Sequence, residues 1–140
     1  MSRVINPDTA GKERTRLTKA IVLAVREMAR LSRPGPEGQD LAAFIVFALA
    51  AIAAGIDSTV AAWEKRDYWV KADRFRMEWG WAGETAEKMK RAVRSDDWRT
   101  IALLSAQIAQ KLNKIKVSDN HRLGKPWVGA WDKLRSDPKP

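Results

Sequence analysis

The side chains best suited to chemistry in this 140-residue chain are its bases, which fall in two runs. Lys12, Arg14, Arg16 and Lys19 crowd the expected start of one helix, and Lys111, Lys114, Lys116, His121, Arg122 and Lys125 span the end of another and the loop beyond it. Cations near a helix C-terminus are favoured by the helix dipole, so part of the second run has a purely structural explanation. Bases at a helix start oppose the dipole, which makes the first run the better pointer to an anionic ligand. Lys and Arg side chains with the interleaved Trp127 would offer charge and a stacking face to a nucleic-acid backbone. The balance of 26 Lys and Arg against 17 Asp and Glu, a net charge of +9, points the same way, with solubility as the plain alternative.

Other chemistries are excluded by composition. With no cysteine and the single histidine His121, the chain cannot use a thiol, Cys-ligated zinc, an iron–sulfur cluster or any dyad that lacks that imidazole. A di-metal carboxylate bundle needs Glu-x-x-His pairs, and here Ser118 precedes His121 by three. Gly124-Lys125 is not a phosphate-binding loop, because Asp119 stands where the first glycine belongs and Pro126 replaces the Ser or Thr. No G-x-G-x-x-G, H-E-x-x-H or zinc-finger spacing occurs, and the helices are too long for a helix-turn-helix. The expectation is a non-enzymatic binding module without metal or cofactor, its partner a polyanion such as nucleic acid. Asp57, set in an apolar helix, must pair with a base, cap a break after Gly55 or reach solvent, a ligand or proton-relay role being the functional alternative.

The elements that must carry these residues are helices. At 45% apolar and 31% charged residues, the chain has the profile of one folded domain over residues 1–140, with loose ends at about 1–10 and 136–140. No proline occurs between Gly38 and Gly124, and period-two strand patterns are missing. Leu17, Ile21, Ala24, Met28 and Leu31 step by fours and threes along a helix over about 12–32, which Pro34-Gly35-Pro36 ends. Ala72, Phe75, Trp79, Ala82, Ala86, Met89 and Val93 form the seam of a third helix, and Trp98, Ile101, Ser105, Ile108, Leu112 and Ile115 that of a fourth, with Asp96 and Asp97 as N-cap candidates. After a loop at 123–126, a short helix through Leu134 should pack Trp127 and Trp131 back on the rest.

The second helix, over about 37–66, is apolar all round near Leu41–Ile52, which marks an interior helix. Its small residues, Ala42, Ala43, Ala50, Ala51, Ala53, Ala54 and Gly55, suit close helix packing. Residues 37–64 hold four acids and no base, whereas residues 1–36 hold eight bases and three acids. Its uncharged run of sixteen residues, Leu41–Ile56, is short for a bilayer, so a core helix is expected and no membrane partner, a membrane segment being the lesser alternative. With no Sec-type leader at Met1–Gly11, the cytoplasm is the expected location. The turn into the third helix lacks Gly and Pro and is placed at 65–68, with Asp67 left-handed. The expected fold is all-α: an antiparallel four-helix bundle with a short Trp-containing helix or loop packed on it.

One surface is left over. Val70, Met77 and Trp81 form a stripe on the third helix, roughly opposite Trp79, that the core does not need. Either the C-terminal tail covers it, or it is the interface of a homodimer or of another protein partner. The flanking pairs Arg74–Glu78, Glu84–Lys88 and Glu87–Arg91 have the spacing of ordinary helix-surface ion pairs.

Overall fold

A computed structural model describes residues 7–137; part of the expected loose ends, 1–6 and 138–140, lies outside the described residues. The described chain is all-helical, with α1 (Pro7–Arg30), α2 (Pro36–Lys65), α3 (Trp69–Arg94), α4 (Trp98–Lys111) and α5 (Ala130–Arg135) packed together. α1, α3 and α5 all pack on α2, and α4 packs on α3 and α1. The core follows the apolar seams: Ile21, Leu41, Ile45, Leu49, Met89, Ile101, Ile108 and Leu134 are its largest fully buried side chains.

Both turns that flank α3 use an aspartate where glycine is usual. Asp67 has φ 62°; its N–H donates to the Glu64 carbonyl and that of Tyr68 to the Trp63 carbonyl, so the C-terminus of α2 closes in a Schellman motif. Asp96, at φ 57°, repeats the arrangement at the end of α3, with bonds to Val93 and, from Asp97, to Ala92. A short polar side chain tolerates the left-handed region, which is why the first of these turns was readable without a glycine. Asp97 then caps α4, accepting from the Thr100 backbone N–H and hydroxyl. The Thr100 hydroxyl first, and then its N–H, hold the Asp97 carboxyl below the ordinary carboxylate value.

α2 is enclosed only over its first half. Leu41, Ile45, Val46 and Leu49 are buried, Phe44 and Phe47 partly so, while Ala50, Ala51, Ala54, Asp57, Ala61 and Ala62 are exposed. Thus several of the small residues expected at close helix contacts form an open alanine face instead. Asp57 reaches solvent from that face, with no ion pair among the described residues, and the helix runs unbroken through Gly55. By length and composition α2 is the one described helix apolar enough to cross a membrane, a test that the core helix of a soluble protein also passes. Gly38 has a specific use: a Cβ there would stand 3.1 Å from the Trp98 ring, so its absence lets the α4 indole close over the start of α2.

Three boundaries differ from the sequence expectation. α1 begins at Pro7, about five residues early, because proline at the first helical position loses no bond. α4 stops at Lys111; Ile115 continues the apolar spacing from a turn, its N–H bonded to the Leu112 carbonyl. α5 starts only at Ala130, since Gly129 is left-handed at φ 84°.

The anchoring of α5 comes from distant helices. Asp40 of α2 accepts from the backbone N–H groups of Gly129 and Trp131 (3.2 and 2.9 Å), and Arg94 of α3 donates to the carbonyls of Leu134 and Asp137. An acid thus sits at the positive end of the short helix and a base at its negative end. Lys133 lies over the Phe47 ring at 5.0 Å.

Candidate functional site

The segment leaving α4 lies against α1, whereas Lys111, at the end of α4, lines the groove between α3 and α4. Ile115 and Leu112 share a small crevice with Val22 and Val25 of α1, and the Arg26 guanidinium donates to the Val117 carbonyl at 3.3 Å. Lys12, Lys19 and Arg26 are spaced by sevens and therefore lie on one side of α1. Lys114 and Lys116 flank Ile115, which is docked there, and Lys19 precedes Val22 by about one turn of α1. Arg122 and Lys125 follow on the stretch between this anchor and the Asp40 anchor of α5. The outcome is a basic band along α1. Arg26 was not among the expected site residues; its seven-residue spacing from Lys19 was the available signal.

Seven of the ten expected bases keep exposed charges with no ion pair among the described residues: Lys12, Lys19, Lys111, Lys114, Lys116, Arg122 and Lys125. The other three are otherwise engaged. Arg14 stacks over Phe75 and Trp79, at 4.9 and 5.7 Å, and is part of the packing of α1 on α3. Arg16 pairs with Glu13 on the same helix; the hydrogen bond between them raises the Arg16 value and lowers that of Glu13. His121 is half-buried, and its Nδ1 accepts from the Leu123 N–H, tying the ring into the loop.

Neither the helix dipole nor Trp127 distinguishes these runs in the structure. Because α1 begins at Pro7, Lys12 and its neighbours lie beyond the first turn, where the dipole has little hold, so opposition to the dipole does not distinguish them. Trp127 is 3% exposed and belongs to the core; it offers no stacking face.

The stripe on α3 is bare, and the tail does not cover it, because α5 packs on α2. Val70 is 68% and Met77 83% exposed, joined by Tyr68 and Trp69 at the start of the helix, which the sequence reading had passed over. Trp81 is half-buried, and its ring stacks with that of Trp79 at 6.0 Å, although the two positions lie on different sides of the helix. Beyond Trp81 the stripe continues into a groove of about 420 Å³ between α3 and α4, lined by Trp81, Glu84, Lys88, Leu103 and Lys111 among others. The corner below is tightly held: Arg76 bridges Glu64 of α2 and Asp73, Trp63 packs on Phe75 at 5.1 Å, and Lys71 covers Trp63. Of the expected surface pairs, Arg74–Glu78, Glu84–Lys88 and Glu87–Arg91 do not close; the intrahelical ion pairs that do form are spaced by three, each with the acid first, as in Glu27–Arg30 and Asp132–Arg135.

Among the described residues no group of three His, Asp or Glu side chains converges as a metal site. Comparison with protein-family models, curated proteins and solved structures finds no match to this chain. What fold and surface define is therefore a class only: a basic all-helical protein with a cationic band on one side of α1 and an apolar strip on α3.

Proposed function

We propose that this protein is a non-enzymatic binding module of the cytoplasm, built as an antiparallel four-helix bundle with α5 appended, that holds a polyanion, nucleic-acid backbone foremost, along the basic band of α1. Supporting the bundle are its short connections, residues 31–35, 66–68 and 95–97, which favour antiparallel neighbours. The observation that supports the binding reading is the docking of Val117 on Arg26, which lays the segment carrying Lys114 and Lys116 against α1, with Lys12, Lys19, Lys114 and Lys116 in no ion pair among the described residues. Phosphate contacts of this kind release counterions and give affinity without base readout.

The test is binding of mixed-sequence DNA and RNA across a salt series. Contact with about four phosphates gives a log–log slope near −3.6, and replacing Lys19 or Lys114 by alanine shallows it by about 0.9 each. A flat response, or no binding at low salt, overturns the reading. Arg16→Ala serves as the internal control, expected to change the slope least.

A further inference from the structure

We propose that α3 pairs with α3 of a second copy of this chain, the two helices antiparallel about a twofold axis at the level of Trp79. The first half of each strip then enters the groove of the other copy. Such an isologous contact uses one patch twice, so each residue before the axis faces the one equally far beyond it.

The register follows from what is exposed and unpaired on α3. Two residues either side of Trp79 stand Met77 and Trp81, so each Met77 meets the partner's Trp81, a thioether against an indole. Five residues either side stand Arg74 and Glu84, both exposed and neither ion-paired among the described residues, so the two cross-contacts join opposite charges. Nine residues out, Val70 lies against the aliphatic stem of Lys88 at the groove, and twelve residues out Asp67 faces Arg91. The exposed Leu103 of α4 forms the apolar rim that a neighbouring helix would touch. Sliding one copy by a helical turn in one direction sets Arg74 against Lys88 and Glu78 against Glu84; in the other it sets Arg66 against Lys88. Like charges facing each other oppose both of these four-residue shifts, and the Met77–Trp81 and Arg74–Glu84 contacts are made together only in the register centred on Trp79. Val70 and Met77 are large apolar side chains that no part of the described chain covers, and a second copy would cover both.

The experiment is sedimentation of the full chain over a concentration series, with circular dichroism as the control for folding. The expected species is a dimer of twice 15.8 kDa. Met77→Glu should raise the dissociation constant by about thirtyfold or more with helicity unchanged, since the side chain makes little contact within its own fold. Arg74→Glu alone and Glu84→Arg alone should each raise it by about tenfold, because each creates two like-charge contacts per dimer. The double swap Arg74→Glu/Glu84→Arg should return it to within about threefold of the unmodified chain. A chain monomeric up to hundreds of micromolar overturns the proposal, as does a dimer indifferent to Met77→Glu or one that the double swap fails to restore. Met77→Glu lies on α3 away from Lys19 and Lys114, so the salt series is read on the unmodified chain and stands or falls separately from this variant; Glu84→Arg, which shares a groove with Lys111, is not used in it.

Discussion

The first half of α2 and the first half of α3 both carry more apolar surface than one neighbouring helix can cover, and the chain covers only the former. Over α2 it lays α5, with Leu134 1% exposed and Trp127 nearly as buried. Over Val70 and Met77 no described residue is laid. The difference is in the polar anchors. A six-residue helix has almost all of its backbone groups at its two ends, where four N–H and four C=O groups lack intrahelical partners. Asp40 and Arg94 supply partners at both ends, which offsets the entropy of ordering so short a segment. Around the α3 strip the exposed charges, Arg74 and Glu84, face outward and hold no segment of their own chain.

The sharpest way to break this contrast is to empty the covered side. Leu134→Ala removes a fully buried side chain at the contact between α5 and α2, and it is expected to cost about 2–5 kcal/mol in urea unfolding. A loss below about 1 kcal/mol, the scale of a surface change, would mean that α5 rests on the surface without completing the core.

A smaller effect isolates the anchor from the apolar contact. Asp40→Ala leaves Leu134 and Trp127 in place but strips the cap from Gly129 and Trp131, with an expected cost of about 1 kcal/mol. Amide hydrogen exchange should show faster exchange at Trp131 and little change at Ile45, whose helix is independently packed. Equal acceleration at both positions would show that Asp40 supports the whole fold and not the tail in particular.

How much of this was legible in the sequence depended on distance along the chain. Asp67 and Asp97 were readable because a turn or cap is decided by residues within one helical turn, and the apolar seams of α1, α3 and α4 because periodicity is local. Asp40 was not, since its partners lie about ninety residues away and nothing near it in sequence asks for an acid. The same limit hid the destination of the tail: the spacing of Trp127 and Trp131 shows an apolar side, without saying whether α2 or α3 receives it. For the candidate site, the two basic runs were plain in the sequence, but the docking of Val117 on Arg26 that lays the segment after α4 against α1 was not. Nor could composition separate the bases left in solvent from Arg14, which two aromatic rings of α3 take up.

The smallest expected effect lies on the bare side, and it is small only when the protein is dilute. Met77→Gln removes apolar surface that is 83% exposed, so in the dissociated chain its unfolding free energy should match the unmodified protein within about 0.5 kcal/mol. If a second copy covers the strip, the unmodified chain gains stability as concentration rises above its dissociation constant, because association draws on the folded form alone. The variant, associating more weakly, should lag behind, and the gap between the two unfolding midpoints should widen from dilute to concentrated samples. Leu134→Ala tests the opposite behaviour: its loss is expected to be nearly the same at every concentration, since the contact it removes lies within one chain. A concentration-dependent gap at Met77 beside a constant one at Leu134 would show that the two apolar halves differ in who covers them, the chain itself or its copy.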